Sequence, residues 1–550
     1  MRRSSALIIA AISCVLFIAS AVRLRPRLFS VDAAQGQNTP PAAITVQPQP
    51  ATLTPASATV PGPATTGVHN TELYTARRGE TIPALAHQYL SKTGYLTSAE
   101  LADAIRATNK KDGNVLHAGE QITIPGILSA PIVERTIAVP KDFEVRAVYL
   151  TGMMAGSDHG LRIIRHWREV GGNAVVFDIK DSDGSVTIPF EHPLLGKHPV
   201  YIHDLPKFVH FLHSENMHAI ARIAIFRDQR LVTEHPELAV QSRRTGQPWR
   251  ENGKLVWTDP SNAKVQDYNI ALAKFVAQSG ADEVQFDYVR FPAEGDQKDA
   301  AFAFQKEHGA AETLSTDDLP KAAQAVPRTD VIPNVESAAG ETSGHSAHRQ
   351  TPKAAFQPTH TAMQRSDVIT AFLKKANAEL HPTGVLFSLD VFGVMAWQRP
   401  VDLSHTGQDI VNMARYCDVL SPMIYPSHFF GMDNIEHPGD APEHFIGESM
   451  DRFELITKGS GVVIRPWLQA FHWRTKTYSP EYIKVQVATA REKGGVGFLF
   501  WNAANDYSKP FIAMPEMHAA DAKGPKDNPR YFRGDELPAA AVRASLGATN

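Results

Sequence analysis

Beyond residue 143, short apolar runs rich in valine, isoleucine and phenylalanine alternate with longer stretches whose apolar residues recur every third or fourth position. The short runs cover 145–152, 174–181, 219–226, 283–292, 385–393, 417–425, 463–471 and 496–502. The helical stretches between them cover 159–170, 204–216, 263–279, 366–380, 408–416, 446–458 and 480–493. Runs that stay apolar without alternating belong to strands covered on both faces, and strands separated by helices belong to a parallel sheet. Eight strands within residues 143–512 predict an α/β fold, a (β/α)8 TIM barrel, with an open doubly wound sheet as the alternative. Asp259 and Pro260 predict the cap and first turn of the third helix, and Gly280 predicts its end. Residues 294–365 interrupt the rhythm, with no Trp or Tyr and much Ala, Pro, Thr, Ser, His and Gln. That composition predicts a largely disordered insertion with a short helix at 300–308, and residues 513–550 predict a flexible polar tail.

A smaller α+β unit precedes the barrel, at residues 72–127. A strand and turn run over 73–81, Thr81 caps a helix that starts at Ile82, and a second helix over 98–108 carries Leu101, Ala104 and Ile105 on one face. A turn and closing strand follow over 116–125. At "YTARRGETIPALA", at Asn109 after the second helix, and at "LHAGEQITIP", this unit resembles a LysM domain. The stretch between, "HQYLSKTGYLTSAELADAI", is longer than is usual in that module. The resemblance implies binding of N-acetylglucosamine-containing glycans, peptidoglycan or chitin. Gly79, Glu80, Thr81 and Ile82 match the first groove-lining loop, and Asn109 lies near the second. The alternative is that these residues only shape the turns.

Upstream, residues 31–71 form a linker: Ala33 to Thr71 contain no Asp, Glu, Lys or Arg, and seven prolines fall between Pro40 and Pro63. Such a segment cannot bury a core, and its prolines hold it extended. Residues 1–30 read as a signal peptide or membrane anchor, with Arg2 and Arg3 before an uncharged apolar run over 6–22 and a small-residue site at Ala19-Ser20-Ala21. The run's 17 residues lie at the lower limit for crossing a bilayer, and Arg23, Arg25 and Arg27 follow directly. The expected location is outside the cytoplasm: periplasmic, cell-envelope associated or secreted.

Charge and cysteine content narrow the function. The 550 residues carry a net charge of −3 from 55 basic and 58 acidic groups, which argues against nucleic acid as the main partner. Two cysteines, Cys14 and Cys417, exclude a disulfide framework and a cysteine-ligated zinc site. Thr151-Gly152-Met153-Met154-Ala155-Gly156 after the first strand lacks dinucleotide-binding spacing, which argues against a nucleotide cofactor, and the absence of a Gly-x-Ser-x-Gly elbow argues against a serine esterase; no cofactor or metal is expected. His210, His213 and His218 have metal-like spacing, but diverging helical faces predict surface histidines.

In a barrel of this kind, chemistry sits at the carboxyl ends of the strands. Asp287 and Asp390 fall at matching depth on neighbouring strands, pointing inward with Gln285 and Ser388. Strands lie about 5 Å apart, so the two carboxylates can approach the separation of about 5–5.5 Å used by retaining glycosidases. Like-charge proximity would keep one protonated as the acid and the other ionised. The competing reading is structural pairing, of Asp287 with Arg222 or Arg290, or of Asp178 with Lys180. Asp178, Asp181, Arg290, Tyr425, Trp467, Gln469, Trp501 and Asn502 are the candidates for positioning sugar hydroxyls and rings. Five of the seven tryptophans (Trp257, Trp397, Trp467, Trp473 and Trp501) lie at strand ends or in loops, where flat faces suit sugar rings.

At "GGNAVVFDIKD", "WTDPSNAKVQDYNIALAKFVAQSGADEVQFDYVRFP", "SLDVFG", "LSPMIYPSHF" and "RPWLQAF" the chain resembles the putative glycosyl hydrolase domain family of bacterial (β/α)8 proteins, from about residue 145 to 507. The resemblance implies hydrolysis of a polysaccharide glycosidic bond, with Asp287 as the fourth-strand acid. Many barrel glycosidases also place a glutamate on the seventh strand, where this chain has Gln469. That departure leaves Asp390, or an acid on strand two, as the partner of Asp287. The expected protein is an exported glycoside hydrolase held at wall glycan by its LysM-like unit. The alternative is a wall-binding protein that grips glycan without cutting it.

Overall fold

The structure, a computed structural model, describes residues 70–308 and 363–521. The expected signal or anchor, the linker, most of the insertion and the end of the tail lie outside the described residues. The first unit is β1 (Asn70–Thr75), α1 (Ile82–Tyr89), α2 (Ser98–Thr108) and β2 (Gln121–Ile127). β1 and β2 pair antiparallel with Tyr74 opposite Ile122. Thr81 and Thr97 cap the helices by accepting from the amides of Ala84 and Glu100. Ile82, Leu85, Leu101, Ile105, Ile122 and Ile124 form the unit's core.

The barrel strands are β3 (Val145–Leu150), β4 (Ala174–Lys180), β5 (His218–Ala224), β6 (Glu283–Asp287), β7 (Leu386–Phe392), β8 (Val419–Ile424), the split pair β9 (Val463–Ile464) and β10 (Trp467–Gln469), and β11 (Gly497–Trp501). Every neighbouring pair is parallel, and β11 closes on β3, so the sheet is a complete barrel. The seventh strand is split around Pro466, which has no N–H to give the ladder. Around the sheet lie α3 (Asp158–Glu169), α4 (Leu205–Ser214), α5 (Ala263–Gln278), α6 (Arg365–Leu380), α7 (Pro442–Thr457), α8 (Pro480–Glu492) and α9 (Ser508–Asp521).

Two-sided burial explains the unbroken apolar runs. On β3, Ala147 and Tyr149 join Val176, Ile220, Trp467 and Leu499 inside the barrel. Val148 and Leu150, from the same strand, face outward into the layer beneath the helices. Each fully buried aliphatic side chain in these layers contributes roughly 1.5–3 kcal/mol.

Several local expectations change. Asn262, not Asp259, caps α5, accepting from the Lys264 amide; Asp259 accepts instead from the amides of Ser261 and Ala303. The start of the insertion is folded: Phe302 and Phe304 are buried, with ring centres 4.9 and 5.8 Å from Phe291. The tail is helical through Asp521 and contributes Ala513 and Met514 to the core. The histidines are not on the surface. His213 and His218 are fully buried, and His218 belongs to β5 rather than to a helix. His210 and His213 turn to the same partner, Glu134, at 2.7 and 3.4 Å; His213 also meets Asp282 at 3.0 Å, and His218 meets Glu283 at 3.2 Å. Arg465 closes this chain on Glu283 at 2.7 Å. Burial opposes the charge on Glu134, but its bonds to His210 and His213 prevail and hold its pKa at about 2. Burial likewise opposes charge on His213, yet Asp282 and Glu134 raise it to about 9.

The two units share a seam. Leu96 packs against the barrel's outer core. The Thr97 hydroxyl donates to Asp158 at the start of α3. Arg165 pairs with Glu100 at 2.8 Å. Lys207, buried in the first turn of α4, donates to the carbonyls of Leu90 and Tyr95 at 3.1 and 3.4 Å.

Candidate active site

A pocket opens at the carboxyl ends of the strands, lined by residues that include Arg222, Asp287, Arg290, Asp390, Tyr425, Trp467 and Trp501. It holds about 590 Å3 of empty space, part of it solvent at the mouth. The β6–β7 register sets Ser388 against Gln285 and Leu389 against Phe286, so the next residues, Asp390 and Asp287, stand level as expected. Asp287 ends β6, and the following residue, Tyr288, has φ of +54°, a left-handed conformation that is unusual for a bulky side chain. That turn brings the Tyr288 amide to 2.6 Å from Asp287 Oδ1.

Arg222 organises the floor. It projects from β5, is 2% exposed, and faces three carboxylates. Its Nη1 donates to Asp178 Oδ1 at 2.5 Å, its Nη2 donates to Asp287 Oδ2, and its Nε lies 3.7 Å from Asp390 Oδ2. Its guanidinium carbon is 5.3 Å from the Trp501 ring and 5.7 Å from the Tyr149 ring, and those rings stack with centres 4.1 Å apart. Burial opposes the charge on Arg222, but Asp178, Asp287 and Asp390 hold its pKa well above the ordinary value. Sharing one guanidinium keeps the nearest oxygens of Asp287 and Asp390 within about 9.5 Å, the span that covers both glycosidase geometries.

The acids differ in environment. Asp390 is 1% exposed and accepts a bond from Trp467 Nε1 at 2.7 Å. Burial, and then the charge of Asp287, push its pKa well above the carboxylate range, against the pull of Arg222 and Trp467. Asp287 is 7% exposed, the more open of the pair, and its two oxygens are met by Arg222 and by the Tyr288 amide. Asp178 is fully buried beneath the pocket and accepts from the Tyr149 hydroxyl at 2.5 Å; burial raises its pKa to about 7.

Of the sequence candidates, Asp287, Asp390, Arg290, Tyr425, Trp467 and Trp501 therefore meet in one pocket. Asp178 supports it from below through Arg222, whereas Lys180, its suggested partner, pairs with Asp228 at 2.8 Å. Asp181 accepts from the Ser182 amide at 2.5 Å, in the loop after β4. Gln469 accepts from the Ser427 amide and donates to the Phe471 carbonyl, pinning two loops together. Asn502 donates to the carbonyls of Ala470 and Asp506. In the first unit, the Asn109 amide bridges Ile105 and Thr123, Glu80 accepts from Tyr74 and the Arg77 amide, and Gly79 takes φ of +85° in the turn before Thr81 and Ile82. Tyr288, Phe392, Gln408 and Met423 also line the pocket, Tyr149 stacks on its Trp501, and Arg222 joins three carboxylates there instead of pairing with Asp287 alone. A lone arginine inside the apolar run "HAIARIA" was the signal for Arg222.

No curated protein matches the chain. Among solved structures it is similar to a hypothetical protein from Ruminiclostridium thermocellum, at 28% identity, over 44% of this chain and 97% of that one, with a TM-score of 0.31. It is also similar to the PgaB (BpsB) glycoside hydrolase domain from Bordetella bronchiseptica, at 14% identity, over 68% and 97% of the two chains, with a TM-score of 0.45. A third similarity is to the spore cortex-lytic enzyme SleL of Bacillus megaterium, at 11% identity, over 80% and 85%, with a TM-score of 0.35. Residues 147–507 match the family described as "Putative glycosyl hydrolase domain", so with its closed barrel and acid-lined pocket the chain belongs to that family.

Proposed function

We propose that the protein is an exported glycoside hydrolase that cuts a cell-wall or extracellular polysaccharide, with Asp287 and Asp390 as its catalytic pair. The observation that carries this reading is the difference between two level carboxyls in one pocket. Burial and its neighbour's charge raise the pKa of Asp390 well above the carboxylate range, which favours its protonated form. Asp287 is more open and is met by a guanidinium and an amide. In this reading Asp390 gives its proton to the leaving glycosidic oxygen as the carbon–oxygen bond breaks. Asp287 then acts at the anomeric carbon, directly or by activating the water that replaces the leaving group. Trp467 and Trp501 supply apolar wall for the ring. The likeness of residues 73–125 to a LysM domain supports retention at N-acetylglucosamine-containing glycan such as peptidoglycan. The basic and apolar start of the chain supports export.

The test is release of reducing ends from peptidoglycan and from a broad polysaccharide panel by the full chain. Asp287→Asn is expected to lower release by about a thousandfold or more. Unchanged glycan across the panel, with binding intact, overturns the reading in favour of a non-catalytic glycan-binding barrel.

A further inference from the structure

Arg290 contrasts with Arg222. It too lines the pocket, and it is 3% exposed. Its guanidinium carbon sits 4.4 Å from the Trp257 ring centre and 4.6 Å from that of Phe392, with Tyr288 at 5.7 Å. One of its groups, Nη1, donates to the Phe291 carbonyl at 3.0 Å. Among the described residues no carboxylate forms an ion pair with it. The acids whose charge reaches it are engaged elsewhere. Glu251 accepts from the amides of Ala293 and Glu294 and from Trp257 Nε1, at 2.9–3.0 Å. Glu294 accepts from Asn252, and Asp287 from Arg222 and the Tyr288 amide. Burial lowers the pKa of Arg290, with those acids opposing.

A buried guanidinium without an anion is costly, and its remaining N–H groups need acceptors. With aromatic rings packed against it, a ligand from the pocket would meet its edge, where the N–H fork matches the two oxygens of a planar carboxylate. We propose that Arg290 recognises an acidic sugar: the pocket takes a glycan residue bearing a carboxylate, whose oxygens accept from the free edge of this guanidinium. The proposal rests on reading the pocket as a glycan site, and it names the substrate class.

The test compares matched pairs that differ in the carboxylate. One pair is a tetrasaccharide of alternating N-acetylglucosamine and N-acetylmuramic acid against chitotetraose. The other is tetragalacturonate against its carboxyl-reduced form. Binding is measured by calorimetry on the full chain carrying Asp287→Asn, which slows cleavage. At least one acid is expected to bind about ten- to a hundredfold more tightly than its neutral match. Adding Arg290→Gln should erase that preference, bringing the acid's affinity to about that of its neutral match. Arg290→Lys keeps the charge but not the fork, should retain only part of the preference, and decides the matter if Arg290→Gln fails to fold. No preference in either pair, or a preference that survives these substitutions, overturns the proposal. A wild-type chain that never releases reducing ends yet prefers acids through Arg290 sinks only the hydrolase reading. One that cuts acid and neutral partners equally sinks only the role of Arg290.

Discussion

Asp178 lies under the pocket floor, where two opposing effects can be ranked by experiment. Arg222 Nη1, at 2.5 Å, and the Tyr149 hydroxyl both favour its charged form. Burial and the charge of Asp181 favour the neutral form, and burial prevails, raising the pKa to about 7. The physical reason is that Arg222 is divided among three carboxylates, while the desolvation of Asp178 is complete. An unfolded aspartate titrates near about 3.9. Between about pH 4 and 7 the folded protein therefore keeps a proton that the unfolded chain releases, so stability falls as pH rises through this window. A shift of about three units corresponds to about 4 kcal/mol. Asp178→Asn fills the same space, can still accept from Arg222 and can donate to the Tyr149 oxygen, but it does not titrate. Urea unfolding of both proteins from pH 4 to 8 should show the wild type losing about 4 kcal/mol relative to the variant, with the change complete just above pH 7. A difference that stays flat with pH refutes the reasoning. One that moves in favour of the wild type as pH rises would mean that Arg222 outweighs burial.

Glu134→Gln should destabilise the chain by about 3–5 kcal/mol near pH 5.5, because it leaves buried His213 and its partly exposed neighbour His210 short of an anion. The stabilisation from Glu134 is present above about pH 4.5 and that from His213 below about pH 6.5, with the latter lost as pH rises through about 9. Unfolding at pH 5.5 and 9.5 should thus show a smaller cost at the higher pH, and an equal cost would contradict the assignment. Trp467→Phe removes the indole bond that favours ionised Asp390. If Asp390 is the acid, the alkaline limb of kcat/KM should move to higher pH, and a downward move would count against that role.

The barrel was legible because each strand is buried on both faces and each helix on one, which writes two different periods into the chain. The level placement of Asp287 and Asp390 followed from counting within those strands. What could not be read was pairing between distant positions. His213 and His218 look like solvated histidines until Glu134, Asp282 and Glu283 are brought beside them by packing. Asp178 beside Lys180 suggests a local pair, since strand residues two apart share a face, yet the β4–β5 ladder shifts register between them and Lys180 reaches Asp228 instead. The start of the insertion reads as polar, and only its contacts with Phe291 show why Phe302 and Phe304 belong to the core. Gln469 and Asn502, chosen for their strand-end positions, are engaged by backbone groups of the loops they anchor.

The seam between the first unit and the barrel changes how the chain behaves as a thermodynamic object. Lys207 has its ammonium against the carbonyls of Leu90 and Tyr95, and Leu96 is packed into the layer around the barrel. Detaching residues 70–127 would strip a buried cation of its acceptors and open an apolar face to water, each a cost borne by the barrel. The two units should thus be coupled in their unfolding, and a single calorimetric transition of the full chain, rather than two, is the expected result. A barrel begun at residue 128 is consequently a weakened molecule, and a loss of activity on cutting there would measure this shared stability as much as any loss of glycan capture.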